Sequence, residues 1–419
     1  KEKRGEETGS FHHVSRKGEG DLANPNLRLM VLILGLMLFW VQGDNYAASP
    51  LIVQIAKDFN LSIGQAALSI TSYMLPFGLF TLIFGPLADR FGKAKVINTA
   101  AFGTAIFSCL GAVAFNLTSL CIIRAVNGAF AAAIIPVTMS LIGDAYGHDP
   151  KAAQNALGRV FGMMFLGGAC ATAIAGALSF VGSWRLVYLV YGIAELILAV
   201  VMLKTIEKQP GTISRLNYVT AYRDALKNSN LIRTVGIIFL IGASVFGSFS
   251  YVGKYVSVTT GYSILIVGLI LTFFGLATVW GGRYTGLWKE RIGNRMLLYA
   301  GVFGCAMWAT MGLWNHWAML SLSLAGFGLA WVLIQPVLVN TAQQLMPRQK
   351  GTVMSLVSFN MFVGGGIGTL LGGYIQNNWG FGPVFVIAAV LMLVAGILGT
   401  TVLNRIILFH PDSTLEKGG

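Results

Sequence analysis

Apolar runs alternate with short polar breaks along almost the whole chain, from residue 28 to residue 406. A helix needs about 20 mostly apolar residues to cross the hydrocarbon core of a bilayer. Twelve runs meet that length. The first six lie near 28–52, 64–86, 95–115, 119–142, 156–181 and 184–205. The second six lie near 232–256, 263–286, 295–314, 317–345, 350–376 and 381–406. Several exceed the minimum, which allows tilt but fixes no angle. The longest break, 206–231, divides the chain near its middle. Within it Leu216, Val219, Tyr222 and Leu226 recur at helical spacing. That pattern fits either a short amphipathic helix on the membrane surface or a plain polar linker.

Lysine and arginine fall in every second break. The segment up to the first run carries Lys1, Lys3, Arg4, Arg16, Lys17 and Arg28. Later clusters are Arg90, Lys93 and Lys95; Lys151 and Arg159; Lys204, Lys208, Arg215, Arg223, Lys227 and Arg233; Lys289, Arg291 and Arg295; Arg348 and Lys350. The intervening breaks are nearly bare, Lys57 excepted. Basic loops stay on the cytoplasmic side, so both termini are expected there, in a cell inner or plasma membrane.

Composition agrees with this pattern. Of 419 residues, 55% are hydrophobic and 11% charged, against roughly 25% charged in a soluble domain. Such a chain cannot cover a water-facing surface. The net charge of +13 is spread over loops, not gathered on one face of a soluble fold, which argues against nucleic acid as a partner. Cys109, Cys121, Cys170 and Cys305 sit inside apolar runs without CxxC spacing, so no metal or redox site is expected. The five histidines lie outside the spans or at their edges, which argues against a membrane enzyme. No Gly-x-x-x-x-Gly-Lys-Ser/Thr sequence is present, so ATP is not the expected energy source, and no cofactor is implied. Residues 1–27 lack the apolar core of a secretion signal and read as a disordered cytoplasmic tail. Residues 407–419 read as a second tail.

The two halves repeat each other. Gly85-Pro-Leu-Ala-Asp89-Arg90-Phe-Gly92-Lys93 follows the second run, and Gly286-Leu-Trp-Lys-Glu290-Arg291-Ile-Gly293-Asn294 follows the eighth. Pro136 and Pro336 occupy the fourth and tenth runs, and Phe165-Leu-Gly-Gly168 in the fifth parallels Phe362-Val-Gly-Gly365 in the eleventh. The expected fold is therefore an all-α membrane protein, twelve transmembrane helices in two pseudo-symmetric six-helix halves, 28–205 and 232–406. Repeats of this kind place a substrate site at their interface near the membrane midplane.

These loops, with Arg124-Ala-Val-Asn127-Gly128 in the fourth run and Ser183-Trp184-Arg185 opening the sixth, resemble the major facilitator superfamily. The first run, Asp44-Asn45-Tyr-Ala-Ala-Ser-Pro50 and Ile55-Ala-Lys-Asp58-Phe, is similar to its proton-coupled drug and metabolite efflux branch. The resemblance implies a monomer that exchanges a small-molecule substrate and protons across the lipid bilayer by alternating access. It also implies that the loop after the second run is a latch. Gly85 and Gly92 permit the turn. Asp89 would face the start of the eleventh helix. Lys93 would pair with Asp144, while Arg90 and the copy Gly286, Glu290, Arg291 and Gly293 complete the motif.

Ionisable residues inside spans are costly, which makes them candidates for function. The resemblance gives proton coupling to Asp44 and Arg124, facing each other across the cavity. A carboxyl that trades between a dry and a paired setting can take up a proton on one side and release it on the other. A static buried pair, or an Asp44 that caps a helix break before Pro50, is the alternative. Glu195 fits either a second proton or substrate-cation site or a hydrogen-bonded structural acid. The cavity is expected between spans one, four, seven and ten, lined by Asn45, Asn127, Phe249, Tyr251, Trp331 and Gln335. Lys254 either joins them or snorkels to the interface. One departure stands out: the antiporter pattern Gly-Pro-x-x-Gly-Gly of span five is here Ala171-Thr172-Ala-Ile-Ala175-Gly176. The expected function is proton-coupled efflux of a small amphiphilic or drug-like molecule. The alternative, which the missing proline favours, is a proton symporter importing a small metabolite.

Overall fold

The computed structural model describes residues 25–146, 150–207, 210, 218–311, 315–346 and 349–409, with Asp89, 150–155, 218–221, 350 and 407–409 described by backbone alone. The expected tails therefore lie almost wholly outside the described residues, as do Leu216 and the side chain of Val219. Spans one to six are Pro25–Asp58, Ile63–Phe91, Lys93–Gly111, Leu117–Ala131 with Ile134–Ala145, Pro150–Val181 and Trp184–Thr205. Spans seven to twelve are Ser229–Thr260, Ile264–Ile292, Arg295–Thr310, Trp317–Leu345, Lys350–Trp379 and Phe381–Phe409. Eleven of these are long and apolar enough to cross a membrane. The remaining one, span nine, is described over 16 residues, and 312–314 beyond it lie outside the described set.

Local chemistry sets the ends. Ser62 and Asn116 form capping boxes with Gln65 and Ser119, and Ser183 and Asn228 cap spans six and seven. Each satisfies backbone N–H groups that a helix start leaves open. Gly92 and Gly293 turn the chain at matching points with φ of 90° and 68°, a region L side chains rarely enter. Span four breaks at Ala132 and Ala133. Pro136, four residues after Ala132, has no N–H to give to its carbonyl, which accounts for the break. The matching Pro336 lies inside an unbroken span ten.

The repeat reappears in the packing. A Cβ on Gly167 of span five would strike the backbone of Phe39 in span one, and a Cβ on Gly364 of span eleven would strike that of Phe239 in span seven. Small residues let helix backbones approach this closely, and in lipid that contact replaces the hydrophobic drive of water. Between the halves, Ser49 Oγ of span one donates to Phe249 O of span seven at 2.7 Å, across a separation of 200 residues. That is the offset between Phe39 and Phe239, so the bond joins two equivalent positions on the pseudo-two-fold axis.

The halves also meet where span two packs on eleven and span five on eight. At the end of the bundle that carries Asp58, spans five and eight are tight: Gly176 faces Gly268, Gly275 faces Ala169, and the Thr172 and Thr272 hydroxyls lie 3.1 Å apart. Gly158 and Gly162 continue the same stripe of span five, and Gly286 that of span eight, yet a Cβ on any of them would meet nothing within 4 Å. The two spans therefore separate toward the end that carries Lys93. The central break contains a helix, Tyr218–Lys227. It docks by Tyr222, whose hydroxyl donates to Leu82 O at 2.8 Å, and by the buried Ala225. Leu226, on the face expected to meet the membrane surface, is 60% exposed, and the helix packs against spans seven and eleven.

Candidate functional site

Asp44 and Arg124 come together. Arg124 Nη1 donates to both carboxylate oxygens at 2.9 and 3.0 Å, and Asn127 Nδ2 donates to Oδ2 at 2.8 Å. Ser108 Oγ stands 3.5 Å away. Thr104 Oγ1 donates to Asn127 Oδ1 at 2.6 Å, which fixes the amide so that its nitrogen faces Asp44. Arg124 Nε and Nη2 have no acceptor. The rings of Tyr73 and Tyr188, with centroids 4.2 and 5.3 Å from the guanidinium carbon, cover them instead, an electrostatic contact that serves a cation in place of hydrogen bonds. Gly128 allows this geometry, since a Cβ there would strike the Tyr73 carbonyl.

Both members of the pair are 1% exposed. This corrects the expected placement across the cavity. The pair is sealed inside the N-terminal half, among spans one, two, three, four and six. The reason is helical geometry. Gln42 and Tyr46 face the space between the halves, and Asp44, two residues from each, points the opposite way. Asn127 is likewise consumed by the cluster and is no cavity residue. Glu195 is fully buried at its edge, with neither carboxyl oxygen hydrogen-bonded. Its neighbour Thr104 gives its proton to Asn127. Gly192, one turn earlier, brings span six against Ala105 and Cys109 of span three, so Glu195 faces the bundle.

A small cavity between the halves, about 10 Å³, is lined by Gln42 and Tyr46 of span one, Phe165 of five, Phe274 and Thr278 of eight and Trp331 of ten. Spans five and eight thus take the places expected of four and seven, because four is drawn back onto two and seven caps the chamber. The cap is aromatic. Ring centroids lie 5.6 Å apart for Tyr46 and Phe249, 4.8 Å for Phe249 and Phe274 and 5.7 Å for Phe274 and Trp331. Trp331 lines the cavity, and Phe249 packs over the lining residues Tyr46 and Phe274. Gln335 stands one turn from Trp331, its Nε2 3.1 Å from Met361 Sδ and its Oε1 buried without a partner.

Tyr251 is not in the lining. Its hydroxyl donates to Thr369 O at 2.5 Å, against span eleven. Lys254 follows Gly247 and Tyr251 at helical spacing, on the face toward span eleven, and is half-buried. Asn45 is buried with no partner for either amide atom, one turn before Ser49 and toward span seven. Gln42, Tyr46, Phe274 and Thr278 were missed. The available signal was the i, i+4 pair Gln42 and Tyr46, a polar stripe opposite Asp44.

At the latch, Lys93 Nζ lies 2.5 Å from Asp144 Oδ2. Arg90 covers Phe91 at 5.0 Å, and a Cβ on Gly85 would touch Ser355 of span eleven at 3.4 Å. The side chain of Asp89 lies outside the described residues. The copy differs: Asn294 pairs with Lys289, and its Nδ2 donates to Asn404 Oδ1 of span twelve at 2.8 Å. Glu290 and Arg291 are exposed, and Gly286 is uncrowded. At the opposite end Asp58 accepts from Trp184 Nε1 at 3.1 Å and from Arg185, which also donates to Ala114 O at 3.0 Å. This clamp over three loops was not foreseen, although each of its charged residues is visible in the sequence.

The family model of the Major Facilitator Superfamily matches residues 34–369 and 255–414, and the chain belongs to that superfamily. It is a multi-pass secondary transporter, not an enzyme. It is 24% identical over 381 residues to an uncharacterized MFS-type transporter, YceJ, of Bacillus subtilis, covering 87% of this chain and 94% of that protein. A puromycin resistance protein of Streptomyces alboniger is 32% identical over 149 residues, 36% of this chain and 29% of that one. The fold matches a bacterial homologue of the human lysosomal transporter Spinster, crystallised inward-facing and unoccupied, with a TM-score of 0.73, 18% identity and coverage of 92% and 98%.

Proposed function

We propose that this transporter exports a small amphiphilic or drug-like molecule in exchange for protons, with Asp44 as the proton carrier and Arg124 as its partner. The observation that carries the reading is the ion pair itself. Two charges sealed in the membrane-spanning part of one half are costly to keep, and a coupling role accounts for their retention. Protonating Asp44 would release Arg124 and loosen the links that tie span one to spans three and four. Span one carries Tyr46 on the cavity wall and Ser49 on the axis, so its movement would reach both the substrate chamber and the contact between halves. The resistance protein among the relatives supports export. The basic loops support cytoplasmic termini and a cell-membrane location. On that orientation the end carrying Lys93 faces the cytoplasm, the chamber opens inward, and the Lys93–Asp144 pair belongs to the inner gate.

Span five, without its proline at 172, favours the second reading, proton symport of a metabolite. One assay separates them. Proteoliposomes are loaded with aromatic dyes, N-phenyl-1-naphthylamine among them, and flux is followed under imposed pH gradients of either sign. Export predicts dye movement against the proton flow, and symport predicts movement with it. Asp44→Asn is expected to abolish the gradient dependence while leaving dye exchange at equal pH. Full gradient-driven flux in that variant would remove Asp44 from the mechanism.

A further inference from the structure

We propose that this cavity, which must widen from about 10 Å³ to admit a guest, binds an uncharged, flat aromatic molecule with at least one N–H or O–H donor, and that its lining discriminates against cations and anions alike. This rests on the transport reading above and narrows its substrate class. Phe274 and Trp331 lie within 14° of parallel with centroids 5.7 Å apart, and Tyr46 and Phe249 close the chamber above them. Rings so placed offer flat faces and edges on which a planar guest can stack.

Every polar group on this wall is neutral. Gln335 Oε1, one turn from Trp331, is buried without a partner, and the Tyr46 hydroxyl stands against Gln42. The Thr278 hydroxyl gives its proton to Gly275 O at 2.7 Å and keeps only its accepting side. Buried polar atoms left without partners are destabilising, and a guest that supplies them removes that penalty. Gln335 Oε1 and the Thr278 oxygen can only accept, which is why the guest must carry a donor.

The nearest opposite charges cannot help an ionic guest. Asp44 and Arg124 are each 1% exposed and face away from the chamber across span one. Asp44 is already held by Arg124 and Asn127. Glu195 is fully buried beyond them, against span three. Lys254 lies on the span-eleven face of span seven. An ion entering the chamber would lose its hydration and meet no counter-charge, and ring faces return less to a cation than that loss.

The test uses the full chain in lipid nanodiscs and three probes on one scaffold. They are N-phenyl-1-naphthylamine, its 8-sulfonate and a trimethylammonium derivative. Binding is measured by equilibrium dialysis with empty nanodiscs subtracted. The neutral probe should bind saturably, and both charged probes at least about tenfold more weakly. Phe274→Ala should weaken the neutral probe, and Gln335→Leu, which keeps the bulk near Trp331, should do so without lowering Tm. A charged probe that binds as well as the neutral one would overturn the proposal. So would saturable binding of none of the three, or a neutral Kd unchanged in both variants. Binding is read without a gradient. Loss of proton coupling in the flux assay would therefore leave this result standing, and tight binding of an ion here would leave the coupling assignment standing.

Discussion

Arg124 illustrates how one residue can hold a membrane cluster together. It neutralises Asp44 and lies between two tyrosine rings. Arg124→Ala would leave a buried carboxylate without its cation, a loss of about 3–5 kcal/mol, measurable as a lower unfolding temperature in detergent. Asp44→Asn in the same background should recover part of it, because the uncompensated charge is then gone. Glu195 sets up the opposite expectation. Neither oxygen has a partner, so Glu195→Leu, which removes both and keeps a similar bulk, should raise Tm or leave it within about 3 °C. A large fall would reveal a hidden partner such as an ordered water. Asp44 and Arg124 stood out because charge is scarce within apolar runs, and the family resemblance set them against each other. Tyr251, Lys254 and Asn127 were misplaced for the complementary reason. A helix that is apolar on every side carries no stripe to say which face meets the cavity, and only packing decides it.

At the scale of elements, the shared contact of Gly167 with Phe39 and Gly364 with Phe239 predicts a shared sensitivity. Gly167→Leu and Gly364→Leu should each cost about 1–3 kcal/mol through overpacking, whereas Gly162→Leu, where no neighbour stands, should be close to neutral. Unfolding temperatures of the three variants check this, and an equal loss at Gly162 would contradict the separation of spans five and eight. Twelve spans could be read from hydropathy because each apolar run is long and has a basic segment at one end. The break in span four could not, since Pro136 and Pro336 look alike in sequence and only one interrupts its helix. The Lys93–Asp144 pair is partly open to water, with Asp144 46% exposed. Its double-mutant coupling should therefore stay below about 1 kcal/mol, and any larger effect of Lys93→Ala on transport would reflect the balance between states.

For the whole molecule, spans five and eight are tight at Gly176 and Gly268 and apart at Gly158 and Gly286. In a background without the native cysteines, cysteines at 172 and 272, where the native hydroxyls lie 3.1 Å apart, should cross-link readily with a short bifunctional reagent, and those at 158 and 286 should not. Conditions that drive the opposite conformation should invert the two yields, and unchanged yields would argue for a static bundle. On the proposed reading span one has a broader consequence, because it keeps cargo and acid on opposite sides of one rod. A blocker wedged among the rings could halt proton turnover without ever touching the carboxylate. Resistance to such a blocker would then arise by remodelling the chamber while the energy-transducing machinery behind the rod stays intact, and an empty chamber offers protons no short circuit.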